Sequence, residues 1–257
     1  ASQIAKYSPM EGHRCEGEEQ CGMHINCCNA NGPRAFALIP DFAVKKMGNE
    51  VYVNYYGDMS ASLENGHNKV LVKQHTTYPV SNVIDITIDV TKENVFGLHL
   101  RVPVWSAQTV ITLNGEELKD ICPGTYHAIT RKWKKGDHIQ IILDMPARLL
   151  EQNQMQAIVR GPIVLARDSR FNDGFVDETL VVDSEDGIVK AEVDSVPGFA
   201  WMRLKVPVTV GTDLEGVGMY RNISFCDFAS AGNTWDKQVR YRVWIPRTLD
   251  VKKGHLK

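Results

Sequence analysis

Strict alternation of apolar and polar residues recurs along most of this chain and leaves little choice of fold. In Val83–Val90, Ile84, Ile86 and Ile88 alternate with Asp85, Thr87 and Asp89, the period of a half-buried strand. Val51 to Tyr56, Val70 to His75, Phe96 to Val102, Thr109 to Leu113, Tyr126 to Thr130 and His138 to Leu143 read the same way. Between them stand turn signals: Asn65-Gly66, Asn114-Gly115, Pro123-Gly124 and Lys135-Gly136-Asp137. Many short strands with few helical stretches predict a mainly β protein built as antiparallel β-sandwiches.

The polar stretch Leu149 to Gln154 reads as a softer break. Beyond it, strands are expected at 156–159, 163–166, 180–182, 188–193, 201–206 and 240–245, with Gly161-Pro162 as a turn or bulge. The sequence therefore divides into residues 1–48, 49–150 and 151–257. The second part is expected to be a β-sandwich, and the third a second sandwich or a further β layer.

One helix is expected, over Ala30 to Met47. Ala35, Leu38, Ile39, Phe42, Ala43 and Met47 recur at three-to-four-residue spacing. Asn29 and Asn31 are candidate caps, Pro33 suits the first turn, Lys45 and Lys46 favour the last, and Gly48 is a stop. Pro40 is expected to kink it. A single amphipathic helix cannot bury its apolar stripe alone. It must pack on the sandwich or belong to a helical domain whose remainder is absent.

Composition excludes some functions. Twenty-nine Lys and Arg against thirty-one Asp and Glu give a net charge of -2, which argues against a general nucleic-acid binder. No apolar run approaches ~18 residues, so no membrane-spanning helix is expected. The first residues lack the basic and apolar regions of a signal peptide. The compartment stays open, with a bacterial periplasmic or secreted setting preferred.

Four of the six cysteines, Cys15, Cys21, Cys27 and Cys28, crowd near the start, while Cys122 and Cys226 stand apart. Thiolates suit Zn²⁺, and a pair just before a helix gains from its N-terminal field, which lowers thiol pKa. Glu18, Glu19 and His24 enlarge the pool of donors. The spacing fits neither a zinc finger nor a ribbon, so a metal site, a Cys15–Cys21 disulfide and free thiols all stay open. His67, His75, His99, His127, His138 and His255 show no paired ligand spacing. Trp105, Trp133, Trp201, Trp235 and Trp244 are read first as core or sheet-edge residues, with sugar stacking as the functional alternative. Asp183 to Asp186 reads as a solvated turn, and Asn222-Ile223-Ser224 is a formal glycosylation sequon.

The segment from His24 to Arg34 resembles the Cys-Cys-x-x-Asn-x-x-Arg signature of glycoside hydrolase family 127, the β-L-arabinofuranosidase-like enzymes. Cys27, Cys28, Asn31 and Arg34 hold its fixed positions. Val51 to Tyr56, Thr76-Thr77-Tyr78-Pro79, Leu100 to Trp105, Val110 to Gly115, Arg131-Lys132-Trp133, Gly136-Asp137, Arg160-Gly161-Pro162 and Arg242-Val243-Trp244 continue the likeness in order.

The resemblance implies an (α/α)6 barrel followed by β-sandwich domains, with residues 1–48 as the last piece of the barrel. It implies a retaining mechanism in which Cys27 is the nucleophile and a zinc ligand, and Cys28 a second zinc ligand. A Glu-x-Cys motif far upstream supplies the other ligands in the family, and a glutamate near it is the general acid/base. Glu19-Gln20-Cys21 has those letters but lies only six residues before Cys27, so it reads as coincidence, with an accidental four-ligand set of Glu19, Cys21, Cys27 and Cys28 as the alternative. The expected function is thus a fragment of a retaining hydrolase of L-arabinofuranosides or a related sugar, inactive by itself, with zinc in the intact parent. Its expected partners are a carbohydrate substrate and the helical barrel of the same chain. The alternative is an accessory carbohydrate-binding or structural β-sandwich without catalysis, with Trp105 or Trp133 as the sugar platform.

Overall fold

The computed structural model describes residues 27–65, 67–210, 219–234, 236 and 238–247, without the side chains of 27–30. The chain is mainly β with one α-helix among the described residues. It divides into two compact units, Pro33–Met145 and Ala1–Gly32 with Pro146–Lys257.

Helix α1 spans Cys27–Ala43, earlier at both ends than the sequence predicts. Asn29, Asn31, Pro33 and Pro40 all fall inside it, so the asparagines do not cap it. Its end is set by pairing. Val44–Met47 (β1) pairs with Glu50–Val53 (β2) around Gly48, whose φ of 60° suits a tight hairpin. Asn54 closes the helix: its Nδ2 donates to Phe42 O at 2.7 Å, and its backbone N–H to Ala43 O at 2.9 Å. Lys45 and Lys46 are therefore strand residues, and Gly48 is a hairpin residue in place of a helix stop.

In the unit Pro33–Met145 two sheets carry the core. One is four-stranded, in the order β1, β2, β6 (Asn94–Arg101) and β9 (Tyr126–Trp133). The β2–β6 pair is parallel; the others are antiparallel. The other sheet is six-stranded, in the order β3 (Met59–Asn65), β4 (Asn68–His75), β5 (Val83–Val90), β10 (Asp137–Ile142), β7 (Val110–Leu113) and β8 (Glu116–Glu117). The alternation of the sequence becomes the inside and outside of this sandwich. Ile84, Ile86 and Ile88 are fully buried with Val70, Val72, Ile111, Ile139, Val51, Val53, Phe96, Leu98 and Leu100. Buried Asp137 is held by Asn114 Nδ2 at 2.9 Å and by the backbone N–H of Lys134 at 2.8 Å, which pins the turn before β10.

The unit containing Pro146–Lys257 holds one eleven-stranded sheet. Its strands are β11 (Ala147–Gln152), β12 (Met155–Arg160), β13 (Ile163–Asp168), β14 (Leu180–Val182), β15 (Ser184–Glu185), β16 (Ile188–Val189), β17 (Glu192–Val196), β18 (Ala200–Val210), β19 (Met219–Asp227), β20 (Tyr241–Arg242) and β21 (Ile245–Pro246). The stretch read as a break is a hairpin: β11 and β12 turn at Asn153 and Gln154, both at positive φ. Asp183 to Asp186 leads into another tight turn, at Asp186-Gly187.

Two buried carboxylates organise this unit. Asp168 accepts from Arg170 Nε at 2.9 Å and Nη2 at 2.6 Å, and from the backbone N–H of Gly232 at 2.8 Å. Asp227 accepts from the backbone N–H groups of Ser230 at 2.9 Å and Met202 at 3.1 Å. Gly232 sits at φ 63°, and a Cβ there would lie 2.5 Å from Cδ1 of buried Tyr241. Gly232→Ala should therefore cost about 1–3 kcal/mol, read as a lower denaturation midpoint in urea. An unchanged midpoint would contradict this packing.

Candidate functional site

Cys27 and Cys28 occupy the first turn of α1. The sequence places them just before the helix; the structure makes them its opening residues. Backbone N–H groups at a helix start lack intrahelical acceptors, and the dipole there favours an anion, so a thiolate at this position is stabilised. At 3.6 residues per turn, Asn31 and Arg34 follow Cys27 at four and seven residues and share its helix face. The signature spacing is therefore one side of a helix. Cys15, Glu18, Glu19, Cys21 and His24 lie outside the described residues.

Among the described residues, little covers α1 ahead of buried Ala43. Phe36 is 73% exposed, and Leu38, Ile39 and Phe42 are also exposed. Two prolines and Gly32 weaken the helix further. A helix so built is held by what packs on it, and the described residues leave that apolar surface open.

Zinc prefers four ligands, and soft thiolates are suitable donors. Among the described residues no group of three or more His, Cys, Asp or Glu side chains could hold a metal. Cys27 and Cys28 would be half of such a set, so the described residues do not complete a zinc site.

Just beyond the helix end, the outer face of the four-stranded sheet carries a polar aromatic network. Tyr52 stacks on His99 with centroids 4.3 Å apart, and Tyr126 meets Tyr52 edge-on at 5.5 Å. His99 Nε2 lies 2.8 Å from Glu50 Oε2. Tyr126 Oη donates to Asn54 Oδ1 at 2.5 Å, and Arg101 Nε to Asn54 O at 2.7 Å. Asn54 thus links this face to the end of α1. Gly97 makes room, since a Cβ there would collide with the Glu50 carboxylate. Sequence reasoning read His99 as an ordinary strand histidine and passed over Glu50, Asn54 and Tyr126. Their only signal was shared strand parity.

The other histidines are dispersed: His75 Nδ1 lies 3.1 Å from Asp58, and His138 Nε2 3.1 Å from Asp85. His127 is pulled below its usual pKa by burial. Of the tryptophans, Trp133 is fully buried and cannot be a sugar platform. Its Nε1 donates to Phe96 O at 3.0 Å, satisfying the one polar atom of the ring inside the core. Trp105 packs half-buried against the same core, whereas Trp201 is 73% exposed. Trp235 lies outside the described residues. Asn222 of the sequon is exposed on β19.

The two cysteines away from the cluster differ in reactivity. Cys226 is buried, and desolvation pushes its thiol from the ordinary 9.0 up to about 12, aided by Asp168 and Asp227. Cys122 is exposed. Iodoacetamide at neutral pH should label Cys122 and spare Cys226 until the fold opens, as peptide mass spectrometry would read. Because the folded pKa of Cys226 is raised, its thiol contributes stability below the unfolded value and loses it as pH climbs towards about 12. Labelling of Cys226 at the rate of Cys122 would contradict its burial.

Residues 50–145 match the family model described as "Beta-L-arabinofuranosidase, GH127 middle domain". Among solved structures it is similar to a GH127 β-L-arabinofuranosidase from Geobacillus stearothermophilus T6, at 20% identity and a TM-score of 0.74, covering 88% of this chain and 38% of that one. A second GH127 β-arabinofuranosidase gives 21% identity and a TM-score of 0.73, over 88% of this chain and 39% of the other. A third structure, described as a glycoside hydrolase, gives 23% and 0.70, over 87% and 40%. The chain thus spans about two fifths of the proteins it matches. No curated protein matches. Among the described residues no helix is long and apolar enough to cross a membrane.

Proposed function

We propose that this chain is the C-terminal portion of a retaining glycoside hydrolase acting on β-L-arabinofuranosides, with Cys27 as nucleophile. The observation that carries the reading is α1: paired cysteines open it, and its apolar sides await a body that the sandwich does not provide. The missing body is an upstream helical barrel of the same polypeptide.

Cys27 as thiolate attacks the anomeric carbon, the C–S bond forms, and the glycosidic C–O bond breaks. A general acid contributed by the barrel protonates the departing oxygen. Water, deprotonated by the same group, then attacks the anomeric carbon from the face the aglycone left. The C–S bond breaks, the thiolate returns, and two inversions give net retention. Cys27 and Cys28 would be the two residues of this chain to hold a zinc ion whose remaining ligands the barrel would contribute, and such an ion would supply a lowered thiol pKa. The helix start adds to this anion stabilisation, and Asn31 and Arg34 lie on the same helix face, placed to orient the sugar.

Residues 1–257 alone lack the acid and the walls that hold a sugar in an attack geometry, so they are inactive by themselves. The test compares this chain with the polypeptide that includes the barrel, using p-nitrophenyl β-L-arabinofuranoside. Hydrolysis by the longer protein and none by the 257-residue chain are expected. Hydrolysis by the short chain, or inactivity of the longer one on every β-L-arabinofuranoside tried, would overturn the reading.

A further inference from the structure

The second unit carries an open cleft that the catalytic reading leaves unused. On β18 side chains alternate strictly: Met202, Leu204, Val206 and Val208 are buried, while Trp201, Arg203, Lys205, Pro207 and Thr209 face outward. Along one edge of β18, β17 pairs with it only as far as Lys205, and β14 begins only at Val208. Val206 and Pro207 stand between these two ladders; Pro207 has no N–H to offer, and its carbonyl accepts from Asp183 N–H at 3.0 Å. The interruption leaves a cleft of about 450 Å³ lined by Lys190, Ala191, Glu192, Lys205, Pro207 and Asn222.

Two exposed aromatic rings bracket this cleft on the same face. Trp201 lies four residues before Lys205, roughly 13 Å along the strand, and is 73% exposed. Tyr220 stands opposite Thr209 on β19, 67% exposed, with its hydroxyl donated to Asp183 Oδ2 at 2.6 Å. Between Trp201 and the cleft, the guanidinium of Arg203 is held flat by Asp194, Nε to Oδ1 at 2.8 Å. An indole left in water costs free energy unless something apolar and flat covers it at times. Rings at intervals with amide, ammonium and carboxylate groups between them match an elongated ligand bearing apolar faces and hydroxyl edges.

We propose that the outward face of β17, β18 and β19 is a second, non-catalytic binding site for an oligosaccharide chain, with Trp201 as stacking platform and Lys205, Glu192 and Asn222 as hydroxyl partners. The kind of ligand rests on the glycoside-hydrolase reading above; the cleft does not. The site would hold a polymer on the enzyme while single sugars are removed elsewhere.

Calorimetric titration of the 257-residue chain with linear arabino-oligosaccharides tests it, with oligogalacturonides as the acidic arm. Saturable binding to the arabino-oligosaccharides is expected, weakened at least ten-fold by Trp201→Ala and by Lys205→Ala, and unchanged by Cys27→Ala. Circular dichroism of each variant checks that the sheet is intact; since Trp201 and Lys205 are exposed, loss of fold is not the expected cause. Absence of saturable binding would overturn the site. So would binding indifferent to Trp201→Ala, or binding to oligogalacturonides alone that salt abolishes. Loss of hydrolysis when Cys27→Ala is placed in the barrel-containing polypeptide, with binding retained, would separate the two readings, since either can then fail without the other.

Discussion

Cys27→Ala in the barrel-containing polypeptide is expected to abolish hydrolysis of β-L-arabinofuranosides, with kcat falling on the order of a thousand-fold or more. A covalent mechanism divides one hard step into two easier ones, and removing the nucleophile removes both. Cys27→Ser keeps shape and polarity but replaces a readily ionised thiol by a hydroxyl that stays protonated at neutral pH, so it should be almost as damaging. Cys28→Ala should also inactivate, by a different route: the nucleophile stays and one thiolate ligand of the zinc goes. Added zinc should partly rescue Cys28→Ala and leave Cys27→Ala inactive. Equal activity of Cys27→Ala and the unsubstituted protein would end the nucleophile assignment.

The largest stability effect is expected at Trp133. Its ring is fully buried, stacks on Phe96 at 5.5 Å between centroids, and donates its Nε1 proton to Phe96 O. Truncation to Ala loses the packing, opens a cavity and strands a carbonyl, a cost of about 3–5 kcal/mol. Domains of this kind are stable by only about 5–15 kcal/mol, so Trp133→Ala should lower Tm by on the order of 10 °C or prevent folding. Trp133→Phe keeps most of the apolar volume and should cost clearly less, which keeps the test readable if the alanine variant does not fold. An unchanged Tm for Trp133→Ala would mean that the ring is not where the sandwich places it.

Period-two alternation made the sandwich legible because both of its sheets bury one face and wet the other. That is why β4, β5, β9 and β10 fall near their expected positions. The misses have local physical causes. Met59–Asn65 alternates only weakly: Met59, Ala61 and Leu63 pack on the core at its partly exposed edge, opposite Ser60, Ser62 and Glu64, and no β-branched residue marks it as a strand. Ala147–Gln152 is polar towards its end, which hid a hairpin whose turn residues, Asn153 and Gln154, tolerate positive φ. The helix was placed late because Val44 to Met47 continue its apolar rhythm; long-range pairing with β2 took those residues into a sheet. Trp133 and Trp201 look alike in sequence, yet one is core and the other fully wet. Only strand parity and the sheet's cover separate them.

At the site, the motif spacing was legible, and its physical meaning emerged with the helix. Cys27, Asn31 and Arg34 share a face because α1 begins at Cys27. What sequence alone did not show is how exposed Phe36, Leu38, Ile39 and Phe42 stand on α1 among the described residues.

Trapping the covalent intermediate tests the central claim most directly. The barrel-containing polypeptide would be incubated with a slowly turning over fluorinated β-L-arabinofuranosyl donor, quenched, digested and analysed by tandem mass spectrometry. The account expects one added pentosyl-derived mass on the peptide that spans Cys27, with fragment ions placing it on that residue. A sugar adduct on a carboxylate elsewhere in the protein, with the Cys27 peptide unmodified, would contradict it.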